Sequence, residues 1–101
     1  DVFIIKPQTI GRFSNIKKAV STVLKAEKIP IITSSLEGII GRLASMHISS
    51  ANRIKNHCGL IMESIYEGEE SIVPKVNNGI IDMPKKHGLG YYKWNIISII
   101  H

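Results

Sequence analysis

The chain alternates between short apolar runs and a longer segment with helical periodicity. Residues 2–5 and 29–33 are almost wholly apolar, which is typical of parallel strands buried on both faces. Between them Ser14 is the predicted N-cap of a helix, and apolar residues recur at three- and four-residue steps from Ile16 to Leu24. Lysines occupy the opposite side of that helix. This order of strand, helix and strand predicts a βαβ unit.

The same pattern continues after the second run. Ser34 or Ser35 is the predicted N-cap of a second amphipathic helix that extends to Ala51. A polar connection then leads to residues 58–62, which are apolar and short enough to form a third strand. The chain therefore predicts three successive parallel strands joined by two helices.

The pattern changes in the last third of the chain. The Asn77-Asn78-Gly79 segment is a strong turn signal, and it separates two apolar stretches, residues 71–76 and 80–83. These stretches predict a β-hairpin. Residues 91–100, aromatic and then apolar, predict a final extended segment.

Three parallel strands and two helices do not close a sheet, and a first strand with an unpaired edge is an association hazard. We therefore predict the C-terminal portion of a (β/α) TIM-type barrel, an α/β fold, rather than a complete domain. Residues 1–64 would supply the last strands and helices, and residues 65–101 the closing hairpin and tail of the same domain. Because the chain begins with Asp1 at the start of a strand, we expect it to be a piece of a longer protein.

The candidate chemistry lies where the first two strands end. Lys6 directly follows the first strand, and Thr33, Ser34 and Ser35 follow the second. The carboxyl ends of parallel strands meet at one edge, where α/β enzymes place their reacting groups. Lys6 is therefore a candidate acid/base or electrostatic group. The simpler alternatives are a lysine that extends into solvent and serines that only cap a helix.

Composition narrows the classes of partner. The 101 residues carry a net charge of +5, which suits an anionic substrate or nucleic acid. The lysines are scattered and aromatic residues make up 6%, which disfavours a nucleic-acid stacking surface. The single cysteine, Cys58, suits a reducing cytoplasm, and no apolar run approaches the roughly 20 residues of a membrane span. We expect a cytoplasmic protein without a membrane partner.

Specific segments resemble the muconate-lactonising branch of the enolase superfamily. Ile4-Ile5-Lys6-Pro7-Gln8-Thr9-Ile10-Gly11 resembles its sixth-strand lysine segment. Ile32-Thr33-Ser34-Ser35-Leu36-Glu37-Gly38 resembles the seventh strand and the start of the following helix, and Cys58-Gly59-Leu60 resembles the eighth strand. The Asn78 to Gly90 segment resembles the closing hairpin, although His87 stands where the family has proline.

Within the superfamily, the serine pair and the Cys-Gly-Leu segment are most similar to the o-succinylbenzoate synthases. Those lyases dehydrate a cyclohexadiene carboxylate in menaquinone biosynthesis. Mandelate-racemase-like members would have a histidine where Thr33, Ser34 and Ser35 stand, and dipeptide epimerases would have an acidic pair after the eighth strand. An N-acylamino acid racemase or a muconate-lactonising relative stays open as an alternative. So does a small basic nucleic-acid-binding module.

The resemblance also implies a mechanism. These enzymes remove a proton next to a carboxylate, and bound Mg²⁺ stabilises the enolate that forms. By resemblance Lys6 is catalytic: a cation facing the intermediate in the dehydrating members, or the second acid/base in racemising ones. Ser34, Ser35 and Leu36 would bind the small carboxylate substrate. The family's metal ligands and remaining lysines lie on earlier strands, so the implied partner is the N-terminal remainder of the same enzyme, and the isolated chain would be inactive.

Overall fold

The computed structural model describes residues 1–63, 65–68 and 73–90. In chain order the elements are strand β1 (Val2–Ile5), helix α1 (Pro7–Ile10), helix α2 (Phe13–Lys25), strand β2 (Ile29–Ile32) and helix α3 (Ile39–Ala51). The α/β class is therefore confirmed. The predicted tail over residues 91–100 and the start of the predicted hairpin lie outside the described residues.

The strands form a parallel sheet in the predicted order. β1 and β2 pair with Val2 opposite Ile29 and Ile5 opposite Ile32. The third predicted strand is reduced to one parallel bridge, between Thr33 and Gly59. The Gly59 N–H donates to the Ile32 carbonyl at 2.9 Å, whereas the Thr33 N–H donates to the Ile5 carbonyl at 3.0 Å. The peptide group between Ile32 and Thr33 thus bonds to the Gly59 segment through its carbonyl and to β1 through its N–H, so the end of β2 lies between these two neighbours.

Helix α2 covers one face of this sheet, as its periodicity predicts. Its buried residues, Ile16 and Val20, form one apolar cluster with Ile5 and Ile32, and Ile48 of α3 completes the cluster. Burial of these side chains holds the βαβ unit together, because each removes apolar surface from water. A second cluster surrounds α3 and holds the later segments of the chain; its members are Ile39, Leu43, Met46, Leu60, Met62, Val73, Ile81, Met83 and Leu89.

The other face of β1 is open. Side chains alternate along a strand, so Val2 and Ile4 lie opposite the face on which Ile5 contacts α2. They are 52% and 56% exposed, and Phe3 is also half exposed. The prediction of a fully buried strand is therefore wrong for the described structure, because no described element covers this face. An unbroken apolar run indicates that both faces of a strand can be buried. Whether they are buried depends on the neighbouring elements.

The segment between β1 and α2 differs from the sequence prediction. It contains the one-turn helix α1, which the sequence pattern does not predict and which has Pro7 at its first position, where proline is favoured. Helix α2 then starts at Phe13 with Arg12 as the N-cap residue, so Ser14 lies inside the helix.

The serine pair does not cap α3. That helix begins at Ile39 with Gly38 at the N-cap position. The backbone N–H of Ser34 instead donates to the Gly59 carbonyl at 2.9 Å, so Ser34 continues the sheet. Strand pairing, rather than helix capping, thus fixes the backbone at Ser34.

The predicted hairpin is present only as its turn. Asn77 and Ile80 pair through two backbone hydrogen bonds of 2.9 Å, around Asn78 and Gly79 with positive φ angles of 51° and 75°. Among the described residues on either side, no strand forms. Ile81 packs on the α3 cluster instead. No helix in the described part of the chain is long and apolar enough to cross a membrane.

The contrast between the two faces gives a stability prediction. Ile32 is 0% exposed, so Ile32→Ala should lower the free energy of unfolding by about 2–5 kcal/mol. Ile4→Ala removes the same atoms from the open face, where the expected cost is about 1 kcal/mol or less. Urea denaturation of both variants measures the difference. Equal losses would show that the open face is covered in solution.

Candidate functional site

Lys6 and Ser34 meet at the carboxyl edge of the sheet. Each residue comes just after its strand, and the pairing of Ile5 with Ile32 places the two strand ends side by side. The Lys6 ammonium Nζ donates a hydrogen bond to the Ser34 carbonyl oxygen at 2.8 Å. Two residues that the sequence assigns to the site are therefore in direct contact. Lys6 as a whole remains exposed, so the ammonium group is held in place but not enclosed.

The Ser34 side chain has a partner within the protein. Ser34 is buried, and its hydroxyl Oγ accepts a hydrogen bond from the Ile61 N–H at 3.0 Å. This bond links β2 to the segment that follows Gly59. A serine hydroxyl that accepts one bond keeps its own proton for a second one. The Ser34 hydroxyl can thus link β2 to this segment and still donate a hydrogen bond.

Ser35 is held by a carboxylate that the sequence pattern does not assign to the site. Its backbone N–H donates to Glu37 Oε2 at 2.5 Å. The Ser35 hydroxyl, the Thr33 hydroxyl and Glu37 Oε1 are all enclosed, and none has a hydrogen-bond partner within the described structure. Enclosed polar atoms in folded proteins are nearly always hydrogen-bonded. Three such oxygens along residues 33–37 leave this loop with unused capacity to bind a polar molecule.

Leu36 adopts an unusual backbone conformation. Its φ is +60°, a region that non-glycine residues enter at a cost of order 1–3 kcal/mol. The side chain is 63% exposed, and the carbonyl accepts a hydrogen bond from the Tyr66 hydroxyl at 2.5 Å. Tyr66 therefore helps to hold the loop that connects β2 to α3. No local sequence signal predicts that contact.

Arg42 holds the segment after Gly59 next to the site. It lies on α3, is 0% exposed, and its Nη1 donates to the carbonyl oxygens of Ile61 at 3.0 Å and Glu63 at 2.6 Å. The same Ile61 residue donates its N–H to Ser34. Arg42 thus positions the backbone that in turn holds Ser34, a role that the sequence pattern does not assign to it.

Gly41 makes room for Glu37. A Cβ atom at this position would lie 2.7 Å from both Glu37 Cγ and Gln8 Nε2, closer than side chains approach each other. The Gln8 amide is the far end of a flexible side chain and can move. Glu37 cannot move without giving up its bond to Ser35.

This crowding gives a second prediction, for Gly41→Ala. Alanine in a helix is favoured over glycine by about 1 kcal/mol, but here the added methyl group displaces Glu37. We expect Gly41→Ala to destabilise the chain in the presence of Glu37 and to stabilise it in a Glu37→Ala background. Urea denaturation of the double-mutant cycle measures this change of sign. The same effect in both backgrounds would mean that Glu37 is not what the methyl group meets.

The described residues do not bring three histidine, cysteine or carboxylate side chains together.

The described structure thus defines a small α/β unit with a lysine, two serines and a carboxylate around one edge of a parallel sheet. Comparisons of the chain with models of protein families, with curated protein sequences and with solved structures found no match. The residues at this edge are therefore the basis for a functional proposal.

Proposed function

We propose that the chain is the C-terminal part of an o-succinylbenzoate-synthase-like lyase of the enolase superfamily. One observation carries the proposal: the 2.8 Å bond from Lys6 Nζ to the Ser34 carbonyl, at the carboxyl edge of two parallel strands. Barrel enzymes bring their reacting groups together at this edge. The bond joins two of the segments that resemble the superfamily, the one around Lys6 and the one around Ser34.

The topology supports the same assignment. β1, β2 and the Gly59 segment follow one another in chain order and in space, as the last three strands of a barrel would. A parallel sheet is normally covered on both faces, and here Val2 and Ile4 are open on one. Earlier strands of a barrel would extend the sheet beyond β1 and fill its interior with side chains. The proposed partner is therefore the N-terminal remainder of the same enzyme.

In this proposal Lys6 acts as a positive charge. Removal of a proton next to a carboxylate adds a second negative charge to the substrate, and a preorganised cation stabilises the resulting dianion more than it stabilises the singly charged carboxylate. The Ser34 carbonyl orients the ammonium group without neutralising it, because a carbonyl is a dipole and not an anion. Ser34, Ser35 and Leu36 form the adjacent wall and would contact the substrate carboxylate. The proton removed from carbon would go to a lysine that the resemblance places on an earlier strand, outside this chain. The same proton would return to the leaving hydroxide, which departs as water.

Magnesium belongs to the proposal as a cofactor held by residues outside this chain. When bound, it supplies charge stabilisation for the enolate. The residues of this chain contribute one wall of the pocket and one cation. The proposal therefore includes the expectation that the 101-residue chain alone does not turn over substrate. It also places the complete enzyme in the cytoplasm.

The runner-up activities use the same lysine differently. In an N-acylamino acid racemase, Lys6 would exchange a proton with the substrate carbon as a second acid/base, and a lactonising relative would use the same edge. The exposure of Lys6 does not distinguish the acid/base role from the role of a fixed positive charge. An unrelated alternative is a small basic module that binds nucleic acid.

A substrate panel on the complete enzyme separates these activities. With magnesium present, we expect dehydration of the cyclohexadiene carboxylate, followed by the absorbance change of the aromatic product. N-acylamino acids, followed by loss of optical rotation, and muconate, followed by lactone formation, should turn over much more slowly. Faster turnover of either of these would assign the runner-up, and no turnover of any of the three would contradict the enzyme proposal.

A further inference from the structure

Helix α2 gathers lysines that are scattered in the sequence. Lys17, Lys18 and Lys25 are all exposed and lie at the helical spacing of one face. The same face carries three hydroxyl groups, and together the six side chains line a shallow depression of about 470 Å³; the hydroxyl-bearing residues are Ser14, Ser21 and Thr22. The Thr22 hydroxyl donates to the Lys18 carbonyl at 2.8 Å, so the serine hydroxyls and the ammonium groups are the donors that concern a ligand. We call these six residues the lysine face of α2.

The lysine face has no compensating negative charge on its own helix. Helix α2 contains no aspartate or glutamate, so no residue one turn away within it can pair with its lysines. The nearby Lys28 differs, because it forms an ion pair with Asp1 at 2.9 Å. No such pair is found for Lys17, Lys18 or Lys25 within the described part of the chain. An anion from outside the chain would therefore relieve their mutual repulsion.

We propose that the lysine face binds the phosphodiester backbone of a nucleic acid. Ammonium and hydroxyl groups are the side chains that commonly contact phosphate oxygens, and such contacts carry no sequence information. A 13-residue helix is about 20 Å long and can present these donors to several successive phosphates. The binding would be electrostatic, independent of base sequence and sensitive to salt. This face is separate from Lys6 and Ser34, so the inference does not rest on the proposed lyase activity.

Two other anionic partners fit the structure less well. A helix that lies in a membrane surface buries its apolar side in the lipid, whereas the apolar side of α2 is already packed on the sheet through Ile16 and Val20. Protein interfaces are depleted in lysine and rely on buried aromatic or arginine residues. The lysine face offers neither. Repeated phosphates on an extended polymer match its row of flexible point charges better.

The test compares two variants with the same net charge. In one, Lys17, Lys18 and Lys25 are replaced by alanine; in the control, Lys75, Lys85 and Lys86, which are also exposed, are replaced by alanine. Binding of a labelled single-stranded RNA of about 20 nucleotides is followed by fluorescence anisotropy, from about 50 mM salt upward. Circular dichroism checks that each variant keeps its helices.

We expect the α2 variant to lose at least about 10-fold in affinity and to reduce the salt slope by about 2, because each lost phosphate contact removes about 0.7 from the slope for a single strand. The control should lose much less. Equal losses in both variants would show attraction by net charge alone and overturn the proposal, as would no binding by the unmodified chain. Binding to anionic phosphatidylglycerol vesicles without binding to RNA would overturn it in favour of a membrane surface.

Discussion

In the lyase proposed above, with its N-terminal remainder present, replacement of Lys6 by alanine is expected to lower kcat by about 10²–10³-fold or more, towards background, while the fold stays intact. The magnitude is the usual effect of removing one preorganised group that stabilises developing negative charge. Lys6 is exposed and makes one described side-chain hydrogen bond, to the Ser34 carbonyl, so its loss should cost little folding free energy. Steady-state kinetics with the cyclohexadiene carboxylate, beside a thermal melt, separate the two effects.

Two further variants sharpen this experiment. Lys6→Arg keeps the charge but changes its position, so partial activity is expected if charge matters and proton transfer does not. Lys28→Ala removes a lysine from the opposite end of the sheet, where it pairs with Asp1, and should leave turnover unchanged. Near-normal turnover of Lys6→Ala would show that the lysine is structural. If Lys6→Ala lowered the melting temperature and lost activity in proportion, the lysine would also be structural.

Arg42→Ala is expected to be the most damaging single substitution for stability. It leaves the carbonyls of Ile61 and Glu63 without the cation that now binds them. A hydrogen bond to a charged group contributes about 1.5–3 kcal/mol, so the combined loss should be about 3–5 kcal/mol. The Arg42 side chain is also 0% exposed, so its removal leaves a cavity that adds to the loss. Urea denaturation of the 101-residue chain measures the loss.

A matched control lies just after the same helix. Arg53 is exposed, and Arg53→Ala should change stability by about 0.5 kcal/mol or less. Arg42 also acts on the site, because it holds Ile61 and Ile61 holds Ser34. In the proposed lyase, Arg42→Lys should therefore raise KM for the proposed carboxylate substrate even where the variant remains folded. If Arg42→Ala were as stable as Arg53→Ala, the two carbonyl contacts would not exist in solution.

The parts of the fold that follow from local pattern can be predicted from the sequence. Unbroken apolar runs predict β1 and β2, and three- and four-residue spacing predicts α2 and α3. The parallel pairing then follows, because a helix-length connection joins the two strands. The meeting of Lys6 with Ser34 is a consequence of that pairing, since both residues come just after their strands.

The parts that depend on the path of the later chain cannot be predicted in this way. Tyr66 reaches Leu36 across 30 residues, and Arg42 reaches Glu63 across 21, with no period or motif that indicates either contact. The exposure of Ile4 escapes prediction for a different reason. Its sequence environment is that of a buried strand, but burial also requires a neighbouring element, which the described residues do not include.

The residues encoded immediately upstream of Asp1 test the central claim most directly. The account predicts that they carry a Lys-x-Lys segment followed by three spaced carboxylates, the groups that would complete a site around Lys6 and hold magnesium. Their determination requires only the longer coding sequence. A start codon directly before Asp1, or an upstream sequence without those lysines and carboxylates, would contradict the assignment of this chain to an enolase-type lyase.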